Sequence, residues 1–588
     1  MKKFCLSLLV LPALLLSSCN FFSNNKPTYE KEIEVFDIDK IQSGDKLSKA
    51  SSTFLKARFV EGEDYIPYLT LSQYIGLFRP HFSEKVKVTY QAASSSLVLK
   101  IENNNQAVFL TEIDFKSEVV LFAGNIQGGY AKDDDPRDMV ALNYGLKSNA
   151  SAKLISGTAG GYSKLDFSDY DIYHFSYEND HYFPLGFLDT TFSNNASMYF
   201  TYNYKHIFST RSVGNYTTVK FIEDNREQTF DSQMKENAAE EIPQYLINYN
   251  SGLFLYLMDN LYGLKDKKQI SSFSSYYRKA GIYNDLFSSN NSKRGFAYSD
   301  ALSMLDDNHT VLLSANESWG EEGCGRQRRY GDGCRTRAIT KTKLTELREN
   351  NLPNYTAEED VLYSQDGKTA LFSFDSFKYG TSDQVFNADG SIKDTAKKYD
   401  TYFMILDLLK TLEQGGTVKN VIFDISLNGG GVVGILIKLL CLMTKDNNSE
   451  FVFWDNLSGV ASIYSSKIDS NGDGLYDDKD VFGNKFNFYI LTSDCSFSCG
   501  NALPCIAQYA KDAKIIGQKS GGGECAVAIH YLPNSEYVYH SSTLHLGYCD
   551  TNHTEFIGVE AGATPDIEIP IGNDFYDIEA LNNAIKNA

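Results

Sequence analysis

The stretch YILTSDCSFSCGNALPCIAQYAKDAKIIG, residues 489–517, decides how this chain is read. An apolar run of strand character ends in a Ser/Cys cluster, a helical pattern follows, and a second apolar run, AKIIG, closes the unit. Strand, sharp turn and helix together display a side chain at the carboxyl end of a strand, where ligands of α/β sheets sit. A nucleophile there faces free backbone N–H groups and the positive end of a helix dipole, which favour developing negative charge. Ser496, Ser498, Cys495 and Cys499 all compete for that role, because a thiolate is the better nucleophile. The plain alternative is a capped, buried helix start.

Outward from this stretch the same alternation continues. From about residue 366 the strand ALFSFDSF precedes the helix YFMILDLLKTLEQGG, which stops at a Gly pair. Strand VIFDIS, the turn NGGG, helix GILIKLLCLM and the strands FVFW and FNFYILT follow. Strands alternating with helices predict an α/β domain over 366–588, with a mixed sheet and crossover helices. Residues 236–315 carry apolar residues at helical spacing and read as a helical subdomain, and 316–365 read as a polar loop region. Residues 46–235 are rich in Tyr, Phe, Val, Ser and Asn in short alternating runs, which predicts a β-rich region. Within it DYIPYLTLSQYIGLF (64–78) and DHYFPLGFLDTTFSN (180–194) resemble each other, as two related modules would.

The chain is long enough for three or four domains, at ~100–200 residues each. Of its 588 residues 42% are hydrophobic, with 39 Tyr and 38 Phe, which excludes a disordered protein. A net charge of −20 repels phosphate backbones and argues against a nucleic-acid partner. The N-terminus, MKKFCLSLLVLPALLLSSC, has two lysines, an apolar run too short for an ordinary span, and small residues before Cys19. It resembles a bacterial lipoprotein signal over residues 1–18, with Cys19 lipidated and 19–45 a linker. That predicts an extracytoplasmic protein held at the cell membrane or cell surface by a lipid anchor. Outside the cytoplasm disulfides are permitted, and Cys324 and Cys334 flank a Gly-rich loop that a bridge would close.

Three ordered segments carry a family resemblance: MLDDNHT (304–310), VIFDISLNGGG (421–431) and SFSCGNALP…AKIIGQKSGGG (496–523). They resemble the C-terminal processing (tail-specific) serine peptidases, over roughly residues 240–588. The resemblance implies a ClpP/crotonase-like α/β core with Ser498 as nucleophile. It implies an oxyanion hole of Cys499 N–H with Gly429 or Gly430. Members using a Ser–Lys dyad carry a lysine where this chain has Gly523, and the nearest lysine, Lys519, precedes the glycine run. The tricorn-core and chlamydial protease-like activity factor branch uses Ser–His–Glu. There the resemblance implies His309 of DDNHT as base, with His540, His545 and His553 as rivals. It implies Glu560 of GVEAGATPDIEI as the residue orienting the imidazole, with Glu555 as rival. No cofactor is required by this chemistry.

A separate loop, DSNGDGLYDDKD (469–480), fits the EF-hand pattern. Asp469, Asn471, Asp473, the Leu475 carbonyl, Asp477 and Asp480 would ligate a structural Ca²⁺. The rival reading is a solvated hairpin loop in which Asp and Asn cap their own turns. Taken together, the sequence predicts a membrane-anchored serine endopeptidase acting on protein or peptide substrates through an acyl-enzyme. The alternative is a catalytically inactive relative that binds peptides as a surface lipoprotein.

Overall fold

The computed structural model describes residues 26–48, 52–124, 126–130, 148–156, 162–212, 214–238, 241–314, 331–534 and 537–588. Cys19, the signal segment and Cys324 lie outside the described residues.

The centre of the α/β unit is a six-stranded sheet in the order Leu362–Tyr363, Thr369–Ser373, Asn420–Asp424, Asn487–Thr492, Ala513–Gly517, Ile567–Glu568. The first pair is antiparallel and every later pair is parallel. Parallel strands need crossovers, and both faces of such a sheet are therefore covered. The period of two along each strand sorts the side chains accordingly. Ala370, Phe372, Val421, Phe423, Phe488, Ile490 and Ile515 enter a core with the helices Thr401–Gly415, Val433–Met443 and Cys499–Ala510. Leu371, Ile422, Tyr489, Leu491 and Ile516 enter a second core with Leu344, Phe575, Tyr576 and Leu581. Each fully buried Leu, Ile or Phe contributes about 1.5–3 kcal/mol. The helix 401–415 begins where Asp400 accepts the Tyr402 N–H (2.9 Å) and ends at Gly416 with φ +70°.

Beside this sheet stands a second one, in the order Val311–Ser314, Tyr537–Cys549, Ser449–Asp455, Val460–Ile468, Ser148–Ser156, with Cys525–Tyr531 and Phe556–Gly558 also paired to 537–549. FVFW therefore belongs to this sheet and not to the parallel one. Its partners are the antiparallel strands 460–468 and 537–549, which the local sequence does not specify.

Three boundaries differ from the sequence expectation. Thr28–Asp37 is not linker but a central strand of a seven-stranded sheet, antiparallel to Thr53–Val60 and parallel to Ile207–Thr210. Its polar residues mask the inward Ile33, Val35 and Phe36. The polar region 316–365 contains the helix Asp332–Asn351, whose few buried residues, Cys334 and Leu344, leave too narrow an apolar stripe to show as amphipathic. The helices Gln244–Leu261, Phe273–Ala280 and Asn291–Ser303 are not a separate subdomain, because they share one core with the N-terminal strands. The two similar segments both fold as strand then helix, and their strands pair with each other: Tyr182 opposite Thr70, Phe183 opposite Leu69, Pro184 opposite Tyr68. They are two units of one sheet and not two modules.

One buried ion pair fixes the strand that leads to the glycine turn. Arg348 of the helix 332–351 donates to Asp424 (3.0 Å) and Asp375 (2.8 Å). The fully buried Asp424 carboxylate also accepts from Ser373 and Ser426 hydroxyls, each at 2.6 Å. Removing the guanidinium leaves that carboxylate without its counter-charge. Arg348→Met should therefore lower the unfolding free energy of the α/β unit by about 3–5 kcal/mol in urea titrations. A loss under about 1 kcal/mol would show the pair to be dispensable.

Candidate active site

The Ser/Cys turn joins the strand 487–492 to the helix 499–510. Ser498 sits immediately before that helix at φ 57°, ψ −124°, and its hydroxyl makes no cap hydrogen bond. An L-residue held there costs about 1–3 kcal/mol and persists only if its surroundings impose it. They do so through backbone on both sides. Phe497 N–H donates to Asn428 O (3.0 Å), Ser498 N–H to Gly522 O (2.9 Å), and Gly521 N–H to Ser496 O (2.8 Å). Arg337 clamps the outside, donating to Asp494 O (2.7 Å) and Gly521 O (2.9 Å) with its guanidinium 4.7 Å from the Phe497 ring.

The rival nucleophiles are committed elsewhere. The fully buried Ser496 hydroxyl donates to Ile425 O (2.8 Å) and accepts from Ser493 N–H. Cys499 Sγ is buried against Gly431 O and Cys495 Sγ against Arg337 O. Burial pushes both thiols up to about 12, which keeps them protonated. Ser498 alone of the four combines partial exposure with an uncommitted hydroxyl.

The NGGG turn packs directly on Ser498. A Cβ on Gly430 would lie 2.7 Å from Ser498 Cβ and 3.1 Å from Cys499 N, so only glycine fits at its φ of +106°. Gly430 N–H donates to Asn428 Oδ1 (2.8 Å). Among the described residues the N–H groups of Gly429 and Cys499 meet no backbone acceptor in a turn or loop.

His309 occupies a turn after the helix 291–303 and just before the strand 311–314. Asp307 builds that turn. Its carboxylate accepts His309 N–H (3.0 Å), Thr310 hydroxyl (2.7 Å) and, from the neighbouring strand, Ser541 hydroxyl (2.7 Å). The His309 ring meets Phe497, next to Ser498, edge-on at 4.7 Å. Its Nδ1 is buried without a partner, and no hydrogen bond joins it to Ser498 or Glu560 among the described residues. Burial, helped by the Arg337 charge and opposed by Asp307, holds the imidazole below its ordinary 6.5, so it is neutral near pH 7.

Glu560 meets the glycine loop that holds Ser498. Its Oε2 accepts Gly523 N–H (3.0 Å) and Glu524 N–H (2.9 Å). A Cβ on Gly522, whose carbonyl holds Ser498, would meet Glu560 O at 2.6 Å. Burial, then the charges of Asp307 and Glu524, raise its carboxyl above the ordinary range, against the pull of the two N–H groups. Asn501 of the 499–510 helix ties down this loop, donating to Val559 O (2.8 Å) and accepting from Ser520 hydroxyl (2.6 Å).

Ser498 and Glu560 thus share the 522–524 backbone, and His309 packs on the Phe497 ring beside Ser498. The rivals are engaged with other partners or exposed. His540 contacts Ser541 O, His545 pairs with Glu524, His553 with Glu450, and both Glu555 and Lys519 are exposed. Arg337, Asn501 and Glu524 escaped sequence reading, because each acts through partners distant in the chain, and the roles of Asp307 and Asn428 inside their own turns gave no separate signal. Only the glycine runs beside them gave any signal of close backbone approach.

The 469–480 loop closes on itself. Asp469 accepts from Gly472 and Gly474 N–H, Asn471 from Asp473, Asp473 from Leu475, Asp477 from Lys479, and Asp480 from Ser470, Asn471 and Asp477. Among the described residues, no three of these carboxylates lie within 4.8 Å of one another. The Asp and Asn side chains cap the turns of the loop itself.

Residues 390–569 match the model of peptidase family S41, a span that includes the glycine turn, Ser498 and Glu560 but not His309. No curated protein matches the sequence. A structure from Parabacteroides merdae described as a candidate peptidase is 17% identical, with 56% of this chain and 93% of that chain covered and a TM-score of 0.40. A lipoprotein from Streptococcus agalactiae is 12% identical, covering 57% and 94%, with a TM-score of 0.33. Mature CPAF complexed with lactacystin is 11% identical, covering 58% and 97%, with a TM-score of 0.36. Residues 390–569 thus match peptidase family S41, and that match supports a serine peptidase.

Proposed function

We propose that this serine peptidase is a lipid-anchored, extracytoplasmic endopeptidase working through Ser498, His309 and Glu560. The observation that carries the reading is the turn at Ser498: an uncommitted hydroxyl at a helix start, with a neutral, buried imidazole against the adjacent residue. In this scheme the Ser498 hydroxyl attacks a peptide carbonyl while His309 takes its proton. The N–H groups of Cys499 and Gly429 receive the oxyanion, each worth ~3 kcal/mol in other hydrolases. The protonated His309 then gives its proton to the leaving amine, and water, deprotonated by the same imidazole, releases the acyl group. Glu560 orients the imidazole. Substrate closure has to bring the three groups into hydrogen-bond reach, as happens where apo contacts are loose. No step calls for a cofactor. The anchor reading rests on the N-terminal sequence and Cys19. Among the described residues no helix is long and apolar enough to cross a membrane.

A fluorophosphonate probe should label the purified chain, and Ser498→Ala should abolish labelling. A folded wild-type chain that never labels would favour the peptide-binding alternative, which the missing Ser–His hydrogen bond otherwise motivates. His309→Ala should slow labelling by ~10²–10⁴-fold. Because the base works only when neutral and burial lowers its pKa, the labelling rate should rise with pH through a midpoint below 6.5 and level off by neutrality. A midpoint well above 6.5 would point to another base. In cells, Cys19→Ser should abolish incorporation of labelled palmitate and release the protein from membranes.

A further inference from the structure

Glu524 lies beside Glu560 and is fully buried, side chain included. The two residues exchange hydrogen bonds. Glu524 Oε2 accepts Glu560 N–H (2.9 Å), and Glu560 Oε2 accepts Glu524 N–H (2.9 Å). Gly558 has no room for a Cβ because Glu524 Oε2 would lie 2.1 Å from it. The loop bearing Glu560 is thus wrapped around the Glu524 carboxylate.

The other oxygen, Oε1, receives Lys267 and pairs with His545 Nδ1 (2.6 Å). Trp454 covers the His545 ring at 5.1 Å. Glu524, Cys525 and His545 are close enough together to share a metal ion. Yet the Lys267 ammonium already sits on the oxygen that such an ion would take, so the cluster carries its own cation. Lys267 follows Tyr262 and Gly263 in one short segment. Tyr262 hydroxyl donates to Asp307 (3.2 Å), and Gly263 N–H to Ser541 O (2.8 Å). That single segment therefore touches both the carboxylate that builds the His309 turn and the one that holds the Glu560 loop.

We infer that Glu524, held by Lys267 and His545, is the positioning residue that sets Glu560 against His309. The inference rests on the Ser498–His309–Glu560 reading above. Glu524 touches no reacting atom. It acts through Glu560, while Lys267 keeps the spacing between the element bearing His309 and the loop bearing Glu560.

The test is the second-order rate of fluorophosphonate labelling of the purified full chain. The variants are Glu524→Gln, Glu560→Gln, their double mutant, Lys267→Met and Lys267→Arg, with circular dichroism and melting as controls for folding. Glu560→Gln should slow labelling by ~10²–10⁴-fold. Glu524→Gln should slow it by at least ~10-fold, and the double mutant should be no slower than Glu560→Gln by more than about two-fold, since both act through one group. A Glu524→Gln rate within about two-fold of wild type, or a double-mutant loss equal to the product of the single losses, overturns the inference. If Glu524→Gln does not fold, the lysine pair decides. Lys267→Met should label several-fold more slowly with Lys267→Arg restoring the rate, and equal rates in both overturn the inference. A wild type that never labels sinks the underlying triad reading, whereas a labelled wild type with an unaffected Glu524→Gln sinks this inference alone.

Discussion

The backbone at Ser498 is the constraint on which the site depends. A serine at φ 57°, ψ −124° is held where its own torsional preference opposes it. Three backbone hydrogen bonds offset the cost, from Phe497 to Asn428, from Ser498 to Gly522 and from Gly521 to Ser496, each worth about 1 kcal/mol. All three depend on the glycine loops at 429–431 and 521–523 reaching the turn, which a Cβ at Gly430, Gly522 or Gly523 would prevent. The parallel register of the strands 420–424, 487–492 and 513–517 brings those loops to one edge of the sheet. Sheet register, glycine and strained serine are thus one mechanical unit.

Electrostatics follow from the same packing. Burial removes water from His309, Glu560 and the thiols at 495 and 499 together. It leaves a neutral imidazole and protonated thiols, which suits hydroxyl chemistry and disfavours thiolate chemistry. Charges that remain are placed with partners. Arg348 neutralises Asp424 beneath the glycine turn, and Lys267 neutralises Glu524 beneath Glu560. Arg337, on the surface side, adds a positive charge that helps to keep His309 unprotonated.

The N-terminal half is integrated with the peptidase domain and not hung from it. The strand 311–314 pairs with 537–549, and the strand 148–156 extends the same sheet at its far edge, along 460–468. The apolar core of the N-terminal strands takes in Tyr531, Leu532 and Val538 from the peptidase domain. His309 is delivered by this shared sheet, so its approach to Ser498 depends on sequence far from either residue.

What the sequence determined was local: alternation of strand and helix from 366 onward, the glycine turn, the Ser/Cys turn at a helix start, and the DDNHT turn. Each is set by neighbours in the chain, through a hydrophobic period, a cap or a residue free to adopt positive φ. The strand 28–37 inside the expected linker 19–45, the helix 332–351 inside the expected loop region 316–365, and the shared core of the 236–315 helices were not legible for a common reason. Those elements bury side chains against partners distant in the chain, and polar residues dilute their periodicity. Tertiary structure alone decided which of two serines and two cysteines keeps an uncommitted side chain, which histidine lies against the turn, and that Arg337 and Glu524 support it. Hydrogen bonds and desolvation act over a few ångströms in space, and no spacing along the chain encodes that distance.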